Sequence, residues 1–249
     1  MVHLIKRQRT NLFKTRDPIG IGDFLQIVTS QDWETFRSAL LSSPALFRNW
    51  ASAISACSQL NGMTLLHAVV RHNPPVDIIV RMIEICPNMP AAKDCVNRTP
   101  LHVAAGSKAS ATVLNVIARA HPAACNAQDD EGKTPLHFAC DSSCVLFEGD
   151  DRVDTRTRQP PNHDSVAALL LHSFHASILK DDEDMSPREL AIMSNATTRT
   201  VNLLYACQRE AREWQRQRAL EAVQRSVAVM SISTRDSDNS SLRTRTVCS

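Results

Sequence analysis

Histidines and cysteines at regular spacing are the residues of this sequence that could do chemistry. His67, His102 and His137 lie 35 residues apart. His137, Cys140 and Cys144 fall at i, i+3 and i+7, which places them on one face of a helix. Imidazole and thiolate both bind zinc, but a structural zinc site needs four ligands and the sequence offers no convincing fourth. The spacing therefore predicts no metal site.

Catalytic motifs are the next possibility, and the sequence carries none of the common ones. It lacks the nucleophile elbow GxSxG, the phosphate-binding loop, GxGxxG and HExxH. The acidic run DDED at 181–184 lacks the spacing of a calcium-binding EF-hand loop. A Cys–His nucleophile pair stays open, because its partners meet only in the folded chain. We predict a non-enzymatic protein without catalytic residues, cofactor or small-molecule substrate.

Composition and charge favour a helix-rich protein. Aromatic residues make up 4% of the chain, glycine occurs six times, and the formal net charge is +2. Such a charge creates no global field that would attract nucleic acid, so a nucleic-acid partner is disfavoured. No run of about 18 apolar residues could span a membrane, and no apolar signal segment stands at the N-terminus. The sequence predicts an intracellular protein, cytoplasmic or nuclear, whose cysteines are reduced.

Four related segments supply the elements that must position these side chains. Their anchoring hydroxyl residues, Thr64, Thr99, Thr134 and Ser186, are spaced 35, 35 and 52 residues apart. A second landmark, formed by Pro87, Pro122 and Phe174, keeps the intervals of 35 and 52. Two landmarks that stay in step make a chance match implausible. The segments are GMTLLHAVV (62–70), NRTPLHVAA (97–105), GKTPLHFAC (132–140) and DMSPRELAI (184–192).

The residue types in each segment predict a turn, a helix start and then a second helix. Thr or Ser caps the first helix, and Pro at the next position has the right φ and no N–H to leave unpaired. Amphipathic second helices are predicted over 76–86, 113–121 and 166–174. The turn positions before the caps suit a left-handed backbone or a tight turn. They are Gly62, Asn97, Gly132 and Asp184, together with Asp94, Asp129 and Asp181.

These segments resemble ankyrin repeats, whose signature is T-P-L-H-x-A in a unit of about 33 residues. The resemblance covers residues 22–208 and is strongest in the two central units, which carry the full TPLH. Leu65 replaces proline in the first unit and SPRELA replaces the motif in the last, as atypical terminal repeats do. A capping helix over 32–42, closed by Pro44, is expected before the first unit.

The resemblance implies an all-α ankyrin-repeat solenoid of about four stacked helix-turn-helix units, with hairpin-like loops and a long C-terminal helix. Its histidines are then structural, because each bonds near the cap and ties neighbouring loops together. The implied structural motif consists of Thr64, His67, Thr99, Pro100, Leu101, His102, Thr134, Pro135, Leu136, His137, Ser186 and Pro187.

The same resemblance places the partner-binding surface in a concave groove formed by the turn tips and the exposed ends of the first helices. The groove is neutral at its first tip and mixed to acidic at its last, which predicts a partner with some positive charge there. The predicted partner-binding residues are Asn61, Met63, Cys95, Val96, Arg98, Asp130, Glu131, Lys133, Asp182, Glu183 and Met185.

Three regions lie outside the repeats. Residues 1–21 form a basic arm that is expected to be disordered, with organelle targeting and nucleic-acid binding as alternatives. The insert at 141–162 is either a mobile loop or a partner contact. Residues 199–229 predict one long helix, and Trp214 on it is a further candidate docking residue. The terminal region 209–249 therefore combines a charged helix with a disordered tail that is rich in Ser and Thr.

The sequence as a whole predicts a scaffold or adaptor that binds another protein, of unspecified identity, through the concave groove. The alternative is a regulatory or targeting subunit of an enzyme complex whose flexible termini recruit the partner. An enzyme would instead show a concave pocket with a titratable pair within hydrogen-bond reach.

Overall fold

The computed structural model describes residues 21–55, 61–144, 146 and 159–243. Within these residues the chain is helical and forms no strand, which confirms the predicted all-α class. The α-helices are α1 Ile21–Thr29, α2 Trp33–Ser42, α3 Pro44–Ser55, α4 Leu65–Val70, α5 Val76–Ile85, α6 Pro100–Gly106, α7 Ala111–Ala120, α8 Pro135–Cys140, α9 His163–His172, α10 Pro187–Met193 and α11 Thr198–Arg243. Short 3₁₀ helices at Met89–Ala91, Pro122–Asn126 and Phe174–Ile178 follow α5, α7 and α9.

Each repeat unit pairs a short first helix with a longer second helix. The first helices are α4, α6, α8 and α10, and each begins directly after its Thr or Ser cap. The predicted second helices are confirmed as α5, α7 and α9, with α11 completing the last unit. Helices α5 and α7 end before Pro87 and Pro122, since the residue before proline disfavours helical backbone.

The units stack so that like helices contact like helices. The first helices form one row in which α4 contacts α6, α6 contacts α8, and α8 contacts α10. The second helices form a parallel row through α5, α7, α9 and α11. The core lies between the two rows, and Leu65, Leu101 and Leu136 are all fully buried in it. No unit buries its apolar face alone, so the stack is the source of stability.

The N-terminal end has more helices than the single capping helix expected from the sequence. Asp32 caps α2 as expected, and its Oδ1 atom accepts from the Thr35 N–H at 3.2 Å. Pro44 begins a further helix, α3, instead of only closing α2. Proline suits the first position of a helix as well as the position after one, so its pattern supports both outcomes. Phe36 of α2 and Phe47 of α3 then pack edge to face at 6.5 Å.

The C-terminal helix is longer than the sequence pattern indicated. Helix α11 continues to Arg243, whereas we expected it to end at residue 229 before a disordered tail. The region contains no glycine or proline to stop a helix, which accounts for the difference. Its first turns pack on the last unit through Leu204 and Ala211, and residues 212–220 are exposed. No helix among the described residues has the length and apolarity needed to cross a membrane.

The insert between α8 and α9 is described only at its two ends. Residues 141–144, 146 and 159–162 belong to the described part, while 145 and 147–158 lie outside it, as does the basic arm over 1–20. Asn162 ends the insert by capping α9, because its Oδ1 atom accepts from the N–H groups of Asp164 and Ser165. The second row of helices therefore resumes in register after the insert.

Candidate functional site

The motif histidines close the start of the first helices. The Nδ1 atom of His67 lies 3.0 Å from the Thr64 backbone nitrogen and 2.8 Å from its hydroxyl oxygen. This is a capping box in which histidine takes the role that Glu or Gln plays elsewhere. The next two units repeat the backbone contact at 3.0 Å, between Thr99 and His102 and between Thr134 and His137.

The other ring nitrogen of each histidine reaches the following unit. Nε2 of His67 lies 3.0 Å from the Arg98 carbonyl oxygen, the residue just before the next cap. His102 reaches Lys133 at 3.1 Å and His137 reaches Met185 at 3.2 Å. A backbone N–H can only donate and a carbonyl can only accept, so each ring is neutral with its proton on Nε2. The histidines therefore tie neighbouring units together.

Burial reinforces this protonation state. The rings of His67, His102 and His137 are fully buried, and burial lowers the pKa of all three, that of His102 to about 3. Both nitrogens of each ring are already bonded inside the protein. A group in this state neither binds a metal nor takes a proton from a substrate near neutral pH.

The thiols of Cys140 and Cys144, which follow His137 in the sequence, are also unsuited to catalysis. Burial raises the pKa of Cys140 to about 12 and that of Cys144 to about 11. Both thiols therefore stay protonated near neutral pH, whereas the thiolate is the nucleophile and the metal ligand. Throughout the described residues, no group of three or more His, Cys, Asp and Glu side chains could hold a metal ion.

The last unit replaces the bridging histidine by an acid. Glu189 occupies the corresponding position, and its Oε2 atom accepts from the Ser186 backbone N–H at 2.7 Å and from its hydroxyl at 2.6 Å. These hydrogen bonds lower the pKa of Glu189. Glutamate can cap its own helix but has no donor for a carbonyl of a further unit. The substitution therefore suits a unit with no repeat stacked after it.

The hairpins between units are built on buried or half-buried aspartates. Asp94 accepts through Oδ1 from the N–H groups of Val96 and Arg98 at 3.0 and 2.8 Å. Asp129 and Asp181 repeat this pair of bonds in the next two hairpins. Each aspartate thus fixes the path of the chain from the turn to the next helix cap.

The hairpin tips bond to one another along the stack. The Cys95 N–H donates to the Asn61 carbonyl at 2.8 Å. The tips of later units repeat this contact, from Asp130 to Val96 at 3.1 Å and from Asp182 to Glu131 at 3.0 Å. The tips therefore lie in a row at a spacing that the backbone itself fixes.

Residues with a left-handed backbone conformation make this spacing of the hairpin tips possible. The four positions that the sequence predicted to be left-handed all have positive φ. The values are 73° at Gly62, 61° at Asn97, 72° at Gly132 and 61° at Asp184. Gly132 has a second constraint, because a Cβ atom there would lie 2.7 Å from Oδ1 of Asp182 in the next hairpin. A side chain at residue 132 would push the two tips apart.

The predicted partner-binding residues differ in how accessible they are. The exposed ones are Asn61, Cys95, Asp130, Glu131, Asp182, Glu183 and Trp214, and the half-buried ones are Met63, Val96, Arg98, Lys133 and Met185. The acids dominate the exposed set at the later hairpins. Lys133 bonds Glu131 at 2.8 Å, and this bond is the main cause that lowers the Glu131 pKa. The row of hairpin tips is therefore acidic toward its C-terminal end at neutral pH.

Arg98 is directed into the protein. Its side chain is 12% exposed, its Nε atom lies 3.4 Å from Asp129, and its guanidinium stacks 5.5 Å from the Phe138 ring centre. Its Nη1 atom donates to the Leu146 carbonyl at 2.7 Å. This last contact could not be predicted from the sequence, because Leu146 lies in the insert, 48 residues from Arg98.

Trp214 lies outside the row of tips, on the exposed part of α11. Its ring is 42% exposed and packs edge to face against His175 at 4.3 Å. The Arg218 guanidinium lies 4.7 Å from the centre of the indole. An aromatic face with an arginine beside it is a second accessible surface, formed by Trp214, His175 and Arg218.

A cavity of about 490 Å³ lies between α2 and α5, away from the hairpin tips. Leu41 and Val80 line it and are 62% and 39% exposed. Its ion pair joins Arg37 to Asp77 at 2.6 Å, and this hydrogen bond is the main cause that lowers the pKa of Asp77. Arginine does not release its proton in proteins, so the pair is not an acid–base couple.

Comparison with known families agrees with this geometry. Residues 92–139, which span α6, α7 and most of α8, match the family model for ankyrin repeats that occur in many copies. The chain contains ankyrin repeats. A comparison with curated proteins finds none that matches it. Ankyrin repeats generally mediate protein–protein interactions and are typically non-enzymatic.

Proposed function

We propose that this ankyrin-repeat protein is a non-enzymatic scaffold or adaptor that binds another protein through its hairpin tips and the adjoining row of first helices. The row of tips carries the proposal. Backbone bonds between successive tips hold exposed side chains at fixed intervals, so the surface is already ordered before a partner arrives. An ordered surface loses little conformational entropy on binding.

The charge of this surface favours a partner segment with basic residues. Asp130, Glu131, Asp182 and Glu183 are exposed on two adjacent tips, while Lys133 is half-buried and paired with Glu131. Complementary charge across an interface increases the association rate and selects the partner. The neutral tip at Asn61 and Met63 then contacts a less charged part of the same partner.

Charge reversal on the tips tests this proposal. The intact chain is used to purify partners, which are identified by mass spectrometry, and the affinity of each is measured at about physiological salt. Changing Asp130, Glu131 and Asp182 to lysine is expected to weaken binding at least about tenfold, because three favourable charge contacts become repulsive. The matched control changes Glu210, Glu213 and Glu221 to lysine, which alters the net charge equally on α11.

A second candidate function uses the α11 surface instead of the tips. It is favoured by the exposed Trp214, because tryptophan and arginine are enriched among residues that dominate binding energy. In this case the chain is a regulatory or targeting subunit recruited through its termini. Separate deletions of 1–16 and 209–249 distinguish the two functions. Loss of the partner in either deletion, with unchanged affinity in the tip variant, favours the second.

We also propose that the protein acts inside the cell, in the cytoplasm or nucleus. The six cysteines of the described residues are all free thiols, and a reducing compartment preserves such thiols. Imaging of the tagged chain in fixed cells tests this, and retention in a secretory compartment would contradict it.

A further inference from the structure

The beginning of the insert folds back onto the row of first helices. Leu146 is only 8% exposed, and its side chain lies over Gly106, the last residue of α6. A Cβ atom on residue 106 would lie 2.7 to 3.0 Å from three atoms of the Leu146 side chain. Leu146 therefore occupies a space, here called the seat, that is open because residue 106 has no side chain.

A polar contact holds the backbone beside this seat. The Leu146 carbonyl accepts from Nη1 of Arg98 at 2.7 Å, and the same guanidinium stacks on Phe138. Arg98 precedes the cap of α6 in the hairpin that bonds to its neighbours. A residue of the proposed binding surface is thus occupied by the chain's own insert.

The first residues of the insert are held at two points. Nζ of Lys108 donates to the Asp141 carbonyl at 2.9 Å, and Lys108 belongs to the second unit. The Ser142 N–H donates to Oγ of Ser194 at 2.8 Å, at the end of α10 in the last unit. Asp141, Ser142 and Leu146 therefore bond to the units on both sides of α8.

We propose that residues 141–144 and 146, together called the anchor segment, are an intramolecular ligand of the ankyrin groove. The seat formed by Arg98, Gly106 and Phe138 is then a docking site for one aliphatic side chain of an extended peptide, whose carbonyl takes the Arg98 donor. Leu146 occupies the seat in the free protein, and a partner that uses it must displace the anchor segment. Only this displacement depends on the proposed function, whereas the occupation by Leu146 does not.

Thiol labelling of the intact protein tests whether the anchor segment is seated. Cys144 is half-buried in the segment, Cys95 is exposed on a hairpin tip, and Cys140 is buried in α8. Two variants release the segment by different means. L146K puts a positive charge into the apolar seat beside the Arg98 guanidinium, which repels it. G106V fills the seat from the opposite side with a residue of better helix propensity than glycine.

The rate of iodoacetamide labelling is followed for each cysteine by mass spectrometry. In the wild type, Cys144 is expected to react at least about tenfold more slowly than Cys95, because burial suppresses its thiolate. In both variants Cys144 is expected to approach the Cys95 rate while Cys140 stays protected. Equal rates of Cys144 and Cys95 in the wild type would overturn the proposal. So would an unchanged Cys144 in both variants, or joint exposure of Cys140.

A capped peptide with the sequence of residues 141–146, carrying serine at position 144, tests the docking site without any cellular partner. It is expected to bind L146K, whose seat is vacated, and not the wild type, in which Leu146 competes. Adding G106V to L146K should abolish binding. Equal binding to L146K and to the double variant, or none to L146K at about 1 mM peptide, would overturn the docking site. Neither result depends on the charged tips, so the proposed function is tested separately.

Discussion

Nε2 of His137 lies 3.2 Å from the carbonyl oxygen of Met185, although 48 residues separate them. The equivalent bond from His67 to Arg98 spans 31 residues. This hydrogen bond from a motif histidine to the next unit, here called the bridge, is thus the same with the insert and without it. It depends on how the units stack and not on the length of chain between them. Each bridge joins the cap of one first helix to the residue before the next cap.

Removal of a bridging histidine should destabilise the stack. His102→Ala leaves the Thr99 N–H without its acceptor and two carbonyls without their donor, all in a buried region. We expect the free energy of unfolding to fall by about 2–4 kcal/mol, from unpaired polar groups and a cavity. Denaturant unfolding measures the loss. His121→Ala, at a half-buried helix end, is the control and should cost less than about 0.5 kcal/mol. Equal losses would contradict the bridging role.

Stability should decrease as the pH falls below the ordinary pKa of histidine. Burial lowers the folded-state pKa of His102 to about 3, from 6.5, so the unfolded chain binds the extra proton in this window. The stability that the neutral His102 ring provides is fully present above about pH 6.5 and is lost progressively as the pH falls toward 3. The difference in unfolding free energy between wild type and His102→Ala should therefore shrink over this range. A difference that stays constant from pH 7 to about pH 4 would contradict the buried neutral ring.

The leucines of the TPLH motif should be essential to the core. Leu101 and Leu136 are fully buried, so changing either to alanine should cost about 2–5 kcal/mol through cavity formation. Leu171 on α9 is 78% exposed and provides the matched control, with an expected cost below about 0.5 kcal/mol. A cost for Leu101→Ala as small as that of the control would show that the motif leucines do not form the core.

Glycine at a hairpin tip should be required for tip spacing. Gly132→Ala adds a Cβ at φ 72° and 2.7 Å from Asp182, so we expect a loss of about 1–2 kcal/mol. Gly22→Ala is the control, because no atom lies within 4 Å of the added carbon and the residue lies in helix α1. This change should be neutral or stabilising. Thermal unfolding of the two variants measures the contrast, and a neutral Gly132→Ala would mean that the tips can adjust.

The parts of the fold that could be predicted from the sequence are those set by local residue types. Thr99, Pro100 and Gly132 carry their structural role in their own chemistry, as cap, first helical residue and left-handed turn. The start of α3 at Pro44 could not be inferred, because proline fits both the end of one helix and the start of the next. Nor could the length of α11, since the sequence after residue 229 contains no glycine or proline that would stop a helix.

The residues of the candidate site also divide into those that the repeat pattern predicts and those that it does not. The exposed acids Asp130 and Asp182 follow from their place in the turn, which the repeat period fixes. The contact of Arg98 with Leu146 depends on where an aperiodic insert folds back, and no spacing rule predicts that. The turn positions of the proposed binding surface could therefore be predicted from the sequence, whereas the contacts of Leu146 with Arg98 and Gly106 could not.

Hydrogen–deuterium exchange of the intact protein, with and without a purified partner, tests most directly whether the tips and first-helix row bind. We predict that the partner slows exchange in peptides covering 95–98, 130–133 and 182–185, and leaves the exchange of 212–226 unchanged. The three tip segments belong to separate units, so joint protection requires one partner to span the row. Protection confined to 209–226, with the tips unaffected, would contradict the account and assign binding to the surface around Trp214.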